Sequence, residues 1–193
     1  MLDDRTVHML AAVGCAAYIM WKPESMVYAR SATGNMYFVK NLHDNRRVCD
    51  HLEALTERVK RFIVLARQRD PQDPRLRRIE KRWTGELSEV ENPAHNVAYS
   101  LGKTGIHLCV REKSGELARV NACMYVLLHE LAHVATPEYG HTAAFWTNMK
   151  YLLEMAEAVG VYTHDEEPAM LCGKPLGESP MACVKDKTCA SEI

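Results

Sequence analysis

Residues 124–134 read Met-Tyr-Val-Leu-Leu-His-Glu-Leu-Ala-His-Val, an apolar run that carries His129, Glu130 and His133. Any fold this chain adopts has to bury that run and still leave its three polar side chains usable. The run reads as a helix. On a helix, positions i and i+4 share one face, so two imidazoles placed that way can both reach one Zn²⁺ at about 2.0–2.1 Å. Glu130, beside the first His, points at the open side of such an ion, where the H-E-x-x-H pattern places a general base. A surface helix with two solvated His and one solvated Glu is the plainer alternative, and the apolar flanks argue against it.

A catalytic zinc takes three protein ligands and keeps one open position. His129 and His133 supply two. His141 is the preferred third: it stands eight residues after His133, directly behind Gly140, where the chain can leave one helix and turn back at the start of the next. Glu154 and His164 are the alternatives. Glu154 cannot serve together with His141 on one straight helix, because thirteen residues at 1.5 Å rise span about 20 Å. Oxyanion-stabilising donors are open among Tyr139, Tyr162, His164 and Lys174.

The rest of the chain supplies a scaffold. Its 193 residues fit one domain, or one domain with extensions. A net charge of −1 argues neither for nor against an anionic partner. Seven scattered Cys include no C-x-x-C. Cys109 and Cys123 sit in apolar contexts as small core residues, which favours free thiols and a reducing compartment. Cys172, Cys183 and Cys189 share a loop-rich tail, at a spacing that fits no zinc module.

Thr6–Trp21 is an uncharged 16-residue run, slightly short of the roughly 17–20 apolar residues of a membrane span. It reads as a docked helix, a short membrane anchor or a cleaved signal. Met26–Arg30 and Met36–Lys40 flank turn chemistry and predict a hairpin. Asp44 then caps a helix to about Arg69, whose stripe is Val48, Leu52, Leu55, Val59, Phe62, Ile63 and Ala66. After a Pro break comes a shorter helix, Arg75 to Trp83. Ten basic residues between Arg58 and Arg82 form either a self-solvating face or a nucleic-acid patch. Residues 85–95 read as an acidic loop. Asn96–Leu101 and Ile106–Arg111 predict a second hairpin, and the latter strand stands where a substrate-aligning edge would. The metal helix is predicted over Leu117–Ala135 and a further helix over His141–Val159, stopped by Gly160.

The run HELAHVATPEYGHTAAFW, His129 to Trp146, resembles the H-E-L-x-H…H-x-x-x-F-W signature of WLM and SprT-like zinc metallopeptidases. Tyr28 to about Cys172 is similar to WLM-like metallopeptidases of large DNA viruses. That likeness is carried by Val27–Ser31 with Tyr37, the long helix, Leu108–Arg111 and Cys172-Gly173. It implies Zn²⁺ as cofactor, His129, His133 and His141 as ligands, and Glu130 as catalytic acid/base. Typical WLM members have a gap shorter by two residues before the third His. Better-known members degrade proteins crosslinked to DNA; their DNA-binding and recruiting tails are not evident in this sequence, so that substrate does not carry over. In the viral group an N-terminal hydrophobic anchor is common.

The expectation is therefore an α+β, minimal zincin-like domain over residues 26–173, with helices around the metal helix and two β-hairpins or a small antiparallel sheet. Residues 1–25 are a hydrophobic segment and 174–193 a Cys-containing tail. The expected function is a zinc metallopeptidase, an endopeptidase acting on protein or peptide. Nucleic acid (through 58–82) and membrane (through 6–21) are the other candidate partners. A zinc amidase or deacylase, and a non-catalytic zinc-stabilised binding module, are the alternatives.

Overall fold

The stripe from Val48 to Ala66 produces the longest helix of the computed structural model, which describes residues 26–164 and 170–176. This helix, α1, spans Asn45–Arg69 and buries all seven stripe residues. Asp44 occupies its N-cap position without a side-chain cap bond. Its carboxylate instead pairs with Arg111, whose guanidinium is buried against the β-sheet and needs a counter-charge there. Ahead of α1 lies the expected hairpin, β1 (Met26–Arg30) and β2 (Met36–Lys40), with Tyr28 opposite Phe38. Tyr37 and Val39 alternate inward to the core. The shorter helix α2 (Pro74–Arg82) starts on Asp73, which accepts from Arg75 N at 2.8 Å and Leu76 N at 3.2 Å.

The acidic stretch expected as a loop contains a strand, β3 (Leu87–Glu89). Its Glu89 is 1% exposed, accepting from Arg111 Nε at 2.8 Å and from Lys40 N at 2.9 Å. A carboxylate in a strand reads as loop until the buried cation that pairs with it is known. β3 lies parallel to β5 (Gly105–Leu108), and β4 (Ala98–Leu101) lies antiparallel on its other side. The order is β3-β5-β4, so the sheet is mixed and not the small antiparallel sheet expected. β5 is its central strand, which removes the expected edge from Ile106–Arg111.

Helix α3 (Val120–Ala135) carries the H-E-L-A-H run and buries thirteen of its sixteen residues. A helix apolar nearly all round belongs at the centre of a domain. It begins three residues later than expected, because Ala118 N donates to Val110 O at 3.0 Å and Leu117 bridges Arg111. Helix α4 (Ala143–Ala158) is N-capped by Thr142, which accepts from Phe145 N at 3.3 Å. It packs Phe145, Met149, Leu152 and Ala156 inward. A short hairpin, β6 (Met170–Leu171) and β7 (Lys174–Pro175), closes the described chain. Its turn holds Cys172 at φ 54° and Gly173 at φ 75°. The left-handed φ of Gly173 favours glycine at that position.

Cys109 is bonded to Cys172. This corrects the expectation of a free core thiol and removes that support for a reducing compartment. The apolar pattern around Cys109 was genuine, but the partner lies 63 residues away. Cys49 and Cys123 are free and buried. The architecture is α+β, with four helices and three small sheets among the described residues. None of these helices is long and apolar enough to cross a membrane. The 6–21 run, Cys15, Cys183 and Cys189 lie outside the described residues.

Candidate metal centre

α3 presents His129 and His133 one turn apart, and the loop after it returns His141 to the same point. One donor atom from each of the three lies within 4.8 Å of the other two, the one such group of three metal-ligating side chains among the described residues. His129 Nε2 and His141 Nε2 are 3.1 Å apart. A tetrahedral zinc with Zn–N of 2.0–2.1 Å sets its nitrogens about 3.3–3.4 Å apart, so this spacing suits a shared ion. Phe145 touches all three rings from one side, with centroids 4.9, 4.3 and 4.7 Å from His129, His133 and His141. Trp146 stacks on His141 at 5.5 Å. The first turn of α4 therefore fixes the ring orientations.

The electrostatics suit a cation too. Burial, together with His133 and His141, pushes His129 down to about 3. Burial, with His141 and Lys103, pushes His133 down to about 4. Both rings are neutral at pH 7 and keep a lone pair, the form in which imidazole ligates. His129 Nδ1 is buried without a hydrogen-bond partner, while its Nε2 faces His141 Nε2 at the point where the three rings converge. The residues present fit a divalent metal.

Glu130 is 6% exposed. Burial raises its carboxyl to about 7, against the opposing hydrogen bond from the Ser100 hydroxyl. It lines a cleft of about 330 Å³ together with the three His, Tyr99, Ser100, Lys103 and Tyr139. β4 forms one wall. In its ladder Cys109 N donates to Val97 O at 2.7 Å, and Tyr99 stands opposite His107. Antiparallel pairs alternate, so the backbone groups of Ala98 and Ser100 face away from β5. The open edge belongs to β4.

The other residues named from sequence fall elsewhere. Glu154 is exposed, 3.8 Å from Lys150, and the His164 backbone N–H donates to Glu157; neither joins the histidine group. Tyr162 packs on Tyr125, and Lys174 donates to Ala94 O and His95 O. Of the four oxyanion candidates, Tyr139 alone lines the cleft. His107 stacks on Tyr99 at 4.6 Å, away from the histidines. Several basic residues of 58–82 are engaged: Arg58 with Val161 O, Lys60 with Glu57, Arg67 with Glu80, and Arg75 with Asp73. Sequence reasoning missed Ser100 and Lys103, both in the second hairpin; only a map of which strand faces the metal helix reveals them.

Three viral proteins are similar to this chain. Uncharacterized protein R325 of Acanthamoeba polyphaga mimivirus is 40% identical over 77 residues, 38% of this chain and 39% of its own length. Uncharacterized protein 042R of Invertebrate iridescent virus 3 is 46% identical over 66 residues, 34% of this chain and 42% of its own. Uncharacterized protein 136R of Invertebrate iridescent virus 6 is 33% identical over 96 residues, 42% of this chain and 53% of its own. The chain thus spans about half or less of the relatives it matches. No protein-family model and no solved structure matches.

Proposed function

We propose that the chain is a zinc-dependent metallopeptidase of zincin-like, WLM type, cleaving peptide bonds within a protein or peptide. The observation that carries this reading is the buried Glu130 beside three converging histidines in one cleft. His129, His133 and His141 would hold the ion. Bound zinc supplies Lewis acidity, which polarises a carbonyl and lowers the pKa of water to about 7.

The chain's own residues do the remaining work. The Glu130 carboxylate accepts the proton of the attacking water and delivers it to the leaving amine nitrogen. The Ser100 hydroxyl holds that carboxylate in place. The open edge of β4 receives an extended peptide through the backbone groups of Ala98 and Ser100, as added strands are received elsewhere. Burial of Glu130 and His129 keeps bulk water from the reacting groups.

The test is Glu130→Gln, which keeps the shape and removes the base. Hydrolysis of a peptide library by the zinc-loaded protein should fall by about 10²–10⁴-fold, with zinc content unchanged. Peptide cleavage that survives the substitution would contradict the assignment. A zinc-stabilised binding module would show no hydrolysis in either protein.

A further inference from the structure

The inference rests on the metal centre and concerns the loop that brings His141 to it. α3 ends at Ala135. Thr136 beyond it is extended, so the carbonyls of residues 136–138 lie outside the helical ladder and need donors of their own. Lys103 reaches them from the turn between β4 and β5. Its Nζ donates to Thr136 O at 2.7 Å, Pro137 O at 3.4 Å and Glu138 O at 3.0 Å. An ammonium carries three donors and no acceptor, so these carbonyls use it completely. The Tyr139 ring lies 4.7 Å from Nζ and covers it.

Two further features set this lysine apart. It is 7% exposed, although it stands in a hairpin turn where lysine normally extends into water. Its backbone has φ 60°, in the left-handed region that non-glycine residues rarely occupy. Backbone strain of this kind persists where the surroundings impose it and clusters at functional sites. A cation at the C-terminal end of α3 also has the sign that the helix dipole favours.

We propose that Lys103 is the positioning residue of the third metal ligand: by clamping the 136–138 carbonyls to the β4–β5 turn, it fixes the loop that presents His141 to His129 and His133. His129 and His133 are held by their own helix and do not need it. His141 stands eight residues beyond His133, at the far end of that loop. Removing the ammonium leaves three carbonyl oxygens converging without a donor, and the loop moves out.

The test is zinc affinity, measured by competition with a chromophoric chelator, in wild type, H141A, K103M, K103N, K103R and K103M/H141A. K103M keeps the buried aliphatic stem. K103N keeps the left-handed turn, which Asn tolerates. A folding defect private to one therefore leaves the other as the test, and circular dichroism of the metal-free proteins identifies it. K103M and K103N should each weaken zinc binding by about tenfold or more, with K103R restoring most of it. K103M should add little to H141A, because the two act through one ligand. Wild-type affinity in K103M and K103N alongside weakened H141A would overturn the role of Lys103. So would losses that multiply in the double variant. Unchanged affinity in H141A would overturn the three-histidine centre itself.

Discussion

His129, Glu130 and His133 were legible in the sequence because their chemistry depends on spacing along one helix, and a helix converts spacing into geometry. His141 required more: a loop had to return, and only Gly140 and the apolar face beginning at Phe145 pointed that way. Lys103 and Glu89 were illegible for the opposite reason. Each has meaning only through a partner far away in the chain, carbonyls 33–35 residues on for Lys103 and Arg111 for Glu89. Asp73 is an intermediate case, local and capped. Burial would raise its pKa, but the Arg75 guanidinium and the N–H groups of Leu76 and Arg75 outweigh that and hold the carboxyl below its usual range. The folded value thus lies below the unfolded value of about 3.9. Its stabilisation is fully present above that pH and is lost as pH falls through the folded value. Asp73→Ala should lower stability by about 1–2 kcal/mol at pH 7, and urea unfolding should show the difference shrinking below about pH 4.

At the scale of elements, the hairpins β1–β2 and β4–β5 and the four described helices follow from apolar periodicity and turn residues, whereas β6–β7 does not. The strand order did not follow, because β3 is three residues long and acidic. Its insertion beside β5 makes β5 central and moves the open edge to β4. That shift moves the proposed peptide-aligning role to β4, and Ala98→Pro tests it. Proline is tolerated at the first residue of an edge strand, and this substitution removes an outward N–H without touching the pairing to β5. Peptide hydrolysis should fall severalfold, chiefly through a higher KM, with zinc content and melting temperature nearly unchanged. Unaltered kinetics would exclude β4 as the aligning edge.

For the whole molecule, the histidine centre joins parts of the chain that are held by different means. α3 is held by core packing. The β5 end is held by the Arg111 pairs with Glu89 and Asp44 and by the Cys109–Cys172 bond, which ties it to the β6–β7 hairpin. Closing 63 residues by a bond of this kind contributes about 2–4 kcal/mol. Cys172→Ser, or reduction, should lower the unfolding free energy by that amount, as read by denaturant titration. The central claim remains the metal. X-ray absorption at the zinc edge of the purified protein tests it most directly. Three histidine ligands predict one zinc per chain with a first shell of nitrogen and oxygen at about 2.0–2.1 Å. A sulfur shell near 2.3 Å, or no zinc, would contradict it.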